Sequence, residues 1–401
     1  MLAAGTAAEK GAEVILIEKM KKEGIKLSIT GKGRCNITNI ISISEFIEHF
    51  GKKGKFLRQT FNYFFSEETV NFFNSIGVET VKERGGRIFT KKGDAKEVVF
   101  CLLKWLKKNK VKIIKEEKIE KIIIEKNKVI GILTKKNNEN IKYFADSVIM
   151  ATGGKSYPQT GSTGDGYKIV EKEGHKINEL KQALVPLKTD ILINNKLKNL
   201  KLKNIKVSLF IDDKKKKEEF GEVYFYEKGI TGPVILSLSK KIVEEKKKNK
   251  KIKLKLDLKP GLDENKLDKR IIRDLEKFGT KNIEDILKKI LPANIINLFL
   301  KRTKIDPLKK GNIINLNERK KIKENIKRFE INIEGYASFE EAIITSGGIS
   351  TKEICPNTME SKIIKNLYFC GEIIDIDADT GGYNLQAAFS TGIIAGNNCV
   401  K

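Results

Sequence analysis

The segment NLYFCGEIIDIDADTGGYNLQAAFSTGIIAG, residues 366–396, restricts the fold more than any other stretch of this chain. Leu367 to Cys370 is a short apolar run that stops at Gly371, as a buried strand does. Glu372, Asp375, Asp377 and Asp379 then crowd a loop. Gly381 and Gly382 follow, and a helical pattern runs from Tyr383 through Leu385, Ala388, Phe389 and Ile393. A strand, a polar loop and a glycine-headed helix make a βα unit suited to an anion or a polar ring edge. Glycine lets a ligand approach the backbone, and the free N–H groups and the helix dipole favour negative charge. The loop acids can hydrogen-bond ribityl or ribose hydroxyls. An ordinary βα loop with solvated acids reads the same way, so other segments must decide.

Two do. In SVIMATGGKSYPQTGSTGDGY, Val148 to Ala151 is strand-like and ends in Thr152-Gly153-Gly154. A second glycine-rich patch, Gly161 to Gly166, opens a helix over 167–174. In KLSITGKGRCNITN, Gly31 and Gly33 flank Lys32 and precede Arg34, Cys35 and Asn36. This small, basic segment can wrap a pyrophosphate with backbone N–H groups and the Arg34 fork. It lacks the G-x-x-x-x-G-K-[ST] spacing of a Walker A loop. Cys35 reads as a small buried residue rather than a redox thiol, since no partner cysteine lies nearby.

The chain opens with MLAAGTAAEKGAEVILIEK. Leu2 to Lys10 favours a helix, Gly11 suits its C-terminal cap, and Val14 to Ile17 reads as a parallel strand ending at the acidic Glu18. In a dinucleotide-binding unit such a helix follows a strand and a G-x-G-x-x-G turn. Either the fold is something else, or about 10 to 20 residues carrying that strand and turn precede Met1. That strand would lie between Val14–Ile17 and the strand ending at Cys370.

A length of 401 residues implies two or three lobes. The five cysteines are scattered with no C-x-x-C pair, which indicates neither a disulfide framework nor a metal site. A reducing, cytoplasmic setting is the expectation, and no apolar run is long enough to span a bilayer. The net charge of +27 raises nucleic acid as a partner. However, only 9 of the 79 basic residues are Arg, and the Lys clusters at 214–217 and 246–251 sit beside acids without interleaved aromatics. A solvated Lys-rich surface accounts for them, so no specific nucleic-acid partner is expected. Acidic substrates or cofactors would still be attracted.

Alternating patterns set the organisation. KVKIIKEEKIEKIIIEKNKVIGILTKKN reads as a β-meander, and residues 184–259 as a β-barrel or sandwich lobe whose Lys-rich segments are loops. Helical runs fill 260–328, and 329–345 return to the β-rich lobe. Residues 1–183 and 346–401 form the two parts of a parallel α/β domain.

KLSITGKGRCNITN, ATGGKSYPQTGSTGDGY, LVPLKT, GITGP, TSGGIS, TMESK and GEIIDIDADTGGYNLQAAFSTG occur in this order along nearly the whole chain. Together they resemble the BaiN-type (YhiN-like) NAD(P)/FAD-dependent oxidoreductases. The resemblance implies an α/β, Rossmann-like FAD domain interrupted by a β-barrel-like lobe with a helical insert. It implies FAD as cofactor and NAD(P)H as electron donor. It implies that Glu18 binds the adenosine ribose, and that Thr30, Gly31, Gly33, Arg34, Cys35 and Asn36 line the diphosphate and flavin side. Thr152 and Gly153 would close the crevice, and Gly371, Glu372, Asp377, Gly382, Tyr383 and Asn384 would hold the ribityl chain, diphosphate or flavin edge. The expected activity is hydride transfer from NAD(P)H through the flavin to an unsaturated or carbonyl small molecule. Competing readings are an FAD-fold binding module without turnover and a flavoprotein acting on RNA. With only His49 and His175 present, and neither in a motif, histidine acid–base chemistry is not indicated. Tyr, Lys or water remain as proton donors, and the oligomeric state is open.

Overall fold

The computed structural model describes residues 1–400. They form two compact units, one of residues 1–182 with 339–400 and one of residues 183–338.

In the first unit, the helix Leu2–Glu9 is built of small residues and stops where Gly11 takes φ +92°. Its smallness serves packing. A Cβ on Gly5 would sit 2.1 Å from the Trp105 ring, and one on Gly396 would sit 2.5 Å from the Ala3 carbonyl oxygen. The first helix and the last, Tyr383–Asn398, therefore lie backbone to backbone. The strand Ile15–Glu18 pairs in parallel with Lys112–Lys115, and Leu367–Phe369 pairs in parallel with Val148–Met150. These two pairs are not hydrogen-bonded to each other. The meander runs through Lys118–Glu125, Lys128–Lys136 and Glu139–Phe144. Its turns, Lys126-Asn127 and Asn137-Asn138, have positive φ at all four residues. That is the two-residue hairpin geometry that matches strand twist. The second glycine patch opens its helix two residues earlier than the pattern suggests, at Asp165, since Gly164 with φ +82° supplies the N-cap.

The second unit is a closed six-stranded barrel, which decides between barrel and sandwich. Its circular order is Leu187–Thr189, Gly229–Thr231, Lys214–Tyr226, Lys201–Ile211, Ile252–Asp257 and Phe329–Tyr336. Val207, Leu209, Leu254, Leu256, Ile331 and Ile333 are buried on alternate positions, as the period of two requires. Helices Glu264–Lys277, Ile283–Leu287, Ala293–Thr303 and Leu316–Lys327 share their core with the barrel. Lys214–Lys217 are exposed but begin a strand instead of filling a loop, because Asp212-Asp213 already makes the two-residue turn. No helix among the described residues is long and apolar enough to cross a membrane.

Candidate functional site

Glu372 is the point at which the separate motifs meet. Its Oε2 accepts from Lys26 Nζ at 2.6 Å and its Oε1 from the Thr345 N–H at 2.8 Å. Lys26 also donates to the Ser156 carbonyl at 3.2 Å. Thr345 Oγ1 accepts the N–H groups of Lys155 and Ser156 at 2.8 and 3.1 Å. Gly154 is required here, since a Cβ would lie 2.5 Å from Thr345 Oγ1 and 2.9 Å from the Glu372 carboxyl carbon. Tyr167 donates its hydroxyl to the Glu372 carbonyl at 3.0 Å, and burial pushes its phenol well up. Segments 26–39, 152–167, 345–350 and 371–384 thus converge, with Lys26 and Glu372 meeting across 346 residues of sequence.

A second node lies further along the loop. Lys53 Nζ contacts Asp375 and lies 3.1 Å from Asp377 Oδ1. Asn178 Nδ2 donates to Asp375 at 2.8 Å, and Ser346 Oγ donates to Asp377 at 2.9 Å. The two carboxylates are 8% and 2% exposed. Burial disfavours the Lys53 ammonium, but Asp377 and Asp375 outweigh it and hold its pKa above the usual lysine value.

The helix Tyr383–Asn398 begins at Gly382, with φ +97°. A Cβ there would lie 2.6 Å from the Thr38 carbonyl carbon and oxygen, so the glycine serves close packing on the strand Asn36–Asn39. Asn39 Nδ2 donates to the Gly381 carbonyl at 3.1 Å. Asn384 closes the loop on itself, accepting from the Ala378 N–H at 2.9 Å and donating to the Ala378 carbonyl at 3.0 Å. Gly371, with φ +75°, donates its N–H to Thr391 Oγ1 at 3.0 Å.

In the glycine-rich segment, Gly31, Lys32, Gly33 and Cys35 all take positive φ. Thr30 Oγ1 donates to the Leu27 carbonyl at 2.7 Å. Gly33 faces open space. The Arg34 fork pairs with Glu83, and its guanidinium lies 4.3 Å over the Phe89 ring. Cys35 is fully buried, and burial pushes its thiol to about 11, which suits a packed side chain. At the strand tip, Glu18 accepts from the Met20 N–H at 2.9 Å, and burial raises its pKa. Lys19 reaches Thr163 Oγ1 at 2.5 Å and Asp165 at 3.0 Å, tying this tip to the second glycine patch. Gly153, with φ +72°, backs onto Ser162.

Three buried side-chain atoms in these segments, Asn36 Oδ1, Asn39 Oδ1 and Thr152 Oγ1, have no hydrogen-bond partner among the described residues. Buried polar atoms are normally satisfied, so unsatisfied ones in a glycine-lined region fit a polar ligand. The residues present therefore fit FAD. No group of three or more residues suited to hold a metal occurs among the described residues.

Sequence reasoning missed Lys53, Asn178 and His49. Lys53 is hidden in the Lys-rich stretch GKKGK, and Asn178 lies in a strand with no motif. The other histidine, His175, is a core residue. It is 2% exposed, its Nε2 lies 2.8 Å from Ser361 Oγ, and burial lowers its pKa. Its folded pKa lies below the unfolded value of about 6.5. Its contribution is thus complete above that pH and is lost as pH falls through it. The urea midpoint should fall between about pH 7.5 and 5.5, and His175→Gln should flatten that slope. An unchanged slope in the variant would refute the assignment.

The chain is 29% identical over 393 residues to the 3-dehydro-bile acid delta(4,6)-reductase of Clostridium scindens, covering 98% of this chain and 94% of that protein. It is 24% identical over 395 residues to the ribosomal RNA dihydrouridine synthase of Haemophilus influenzae, covering 98% and 93%. The solved structure of 3-ketosteroid delta1-dehydrogenase from Sterolibacterium denitrificans shares the fold, with a TM-score of 0.53 at 14% identity over 99% of this chain and 96% of that one. Fold and site define the class: an oxidoreductase built on an FAD-binding, Rossmann-like domain. The chain belongs to the HI0933-like family, whose Rossmann-domain model matches residues 1–398.

Proposed function

We propose that the protein saturates a carbon–carbon double bond conjugated to a carbonyl in a small molecule, with FAD as hydride carrier and NAD(P)H as donor. The convergence of four motif segments on Glu372 carries the reading. The names of two relatives support a reduction, one being a 3-dehydro-bile acid delta(4,6)-reductase and the other a dihydrouridine synthase. FAD, when bound, supplies the hydride and accepts one from NAD(P)H. The chain's task is to bind and orient. In this reading Glu18 holds the adenosine ribose, and Thr30, Gly31, Gly33, Cys35 and Asn36 line the diphosphate and flavin side. Arg34 joins them only by leaving Glu83. Thr152 and Gly153 close the crevice. Gly371, Glu372, Asp377, Gly382 and Tyr383 border the ribityl chain and flavin edge, with Asn384 fixing their loop.

The purified chain should be yellow, release FAD and not FMN on heating, bleach with NAD(P)H, and regain colour with a conjugated enone. A colourless chain that cannot be loaded with FAD would leave a binding module. A second reading, in which the substrate is RNA, comes from the dihydrouridine synthase relative and the distribution of charge. Residues 183–338 hold 40 of the 79 basic residues but only 22 of the 52 acidic ones, so this unit carries +18 of the net +27. Ribosomal RNA binding that survives physiological salt, with dihydrouridine formed, would select it.

A further inference from the structure

His49 and Asp379 form a pair that the motifs do not predict. His49 follows the helix Ile43–Glu48, which Ser42 and Glu45 start with a capping box. Phe46 anchors that helix, fully buried, with its ring centroid 4.8 Å from that of Tyr383. The imidazole lies flat on Tyr383, at 3.8 Å between centroids and 18° between planes. Its Nδ1 is 3.3 Å from Asp379 Oδ2, and the Asp379 N–H donates to the His49 carbonyl at 3.4 Å. Stacking, carboxylate and backbone thus fix the ring. Its Nε2 has no hydrogen-bond partner among the described residues, and the side chain is 33% exposed. The titratable groups facing the ring are Asp379, Tyr383 and Glu45. The Glu45 carboxylate is held by Ser42.

Packing accounts for the stack on Tyr383 but not for a carboxylate on Nδ1 with Nε2 left open. A carboxylate on one nitrogen sets the tautomer and orientation of the ring, and the other nitrogen is then free to pass a proton. Tyr383 directly follows Gly382, in the loop assigned above to the flavin edge. We infer that His49 is the proton donor of the reduction, with Asp379 as its positioning residue; the inference rests on the function proposed above. Saturating the double bond adds one hydride and one proton. The carbon β to the carbonyl would take the hydride, with its two electrons, from bound reduced FAD, which would be left oxidised. The α carbon takes its proton from Nε2–H of the His49 imidazolium, whose other N–H stays on Asp379, and that Nε2–H bond breaks as the new C–H bond forms. The neutral imidazole regains a proton from water at its exposed edge.

The test uses FAD-loaded chain reduced with dithionite and reoxidised by a steroid 4,6-dien-3-one or by ferricyanide. His49→Gln should slow the dienone reaction by about 10²–10⁴-fold, the range for losing a general acid. It should leave the ferricyanide reaction, which adds no proton to carbon, unchanged. Asp379→Asn should give a smaller loss in the dienone reaction than His49→Gln. Diethylpyrocarbonate gives a readout without turnover. It acylates accessible imidazole, so the 33%-exposed His49 should react and the 2%-exposed His175 should not. Loading FAD and then the dienone should protect His49. Equal dienone rates in His49→Gln and the parent, or acylation unaffected by FAD and dienone, would overturn the inference. A parent chain that binds FAD but reduces no enone would instead overturn the proposed function, and acylation would still show whether His49 borders the flavin site.

Discussion

Lys53→Met should lower the unfolding free energy by about 3 kcal/mol, measured by urea titration at neutral pH. The substitution keeps most of the apolar stem, one heavy atom shorter, and removes the ammonium with its charge and donors. It leaves Asp375 and Asp377, at 8% and 2% exposure, facing each other without their shared cation. Removing one partner from a buried pair costs roughly 3–5 kcal/mol because the remaining charge is stranded. The lower end applies because Lys53 is 30% exposed, so water can enter when it is gone. Lys53→Arg should retain most of the stability. Adding Asp377→Asn to Lys53→Met should recover part of the loss, since one stranded charge disappears. A Lys53→Met chain within about 0.5 kcal/mol of the parent, the scatter of an ordinary surface substitution, would mean that the node is solvated and structurally idle.

Gly382→Val should cost a similar amount, about 4 kcal/mol, and take FAD occupancy down with it. Two terms add. A side chain at φ +97° is strained by roughly 1–3 kcal/mol. Its Cβ meets the Thr38 carbonyl at 2.6 Å, and such overpacking costs about 1–3 kcal/mol more. The backbone of the strand Asn36–Asn39 cannot swing aside as a flexible side chain would. Gly382→Ala places the same Cβ and should show most of the loss. The barrel unit, residues 183–338, should resist proteolysis in both variants. Parent-like stability in Gly382→Ala would show that the helix start can move away from Thr38.

These two positions mark what the sequence discloses. Gly382 was legible as special because two glycines ahead of a helical pattern have few explanations. Its physical reason was not, since the contact with Thr38 spans more than three hundred residues. The strand–loop–helix units were legible for the same local reason. Lys53 was invisible because lysine is abundant everywhere, and only the fold places this one between two buried acids. Glu372 was recognisable as a loop acid, but its partner Lys26 lies 346 residues away and follows no periodicity. Barrel and sandwich share the same alternation, so closure showed only when Leu187–Thr189 paired with both Gly229–Thr231 and Phe329–Tyr336.

The backbone contact between the first and last helices bears on how the protein is made. Gly392 and Gly396 of the helix Tyr383–Asn398 rest on Leu2, Ala3 and Thr6, so the helix Leu2–Glu9 lacks this packing surface until residues 392–396 have been translated. The barrel unit is contiguous in sequence and can fold on the ribosome while that surface is still missing. Its neighbour must wait, with the apolar face of Leu2, Ala3 and Ala7 uncovered, for the whole intervening stretch to be translated. Premature termination anywhere in the final helix therefore leaves a finished barrel joined to an incomplete partner, a species suited to chaperone capture or degradation.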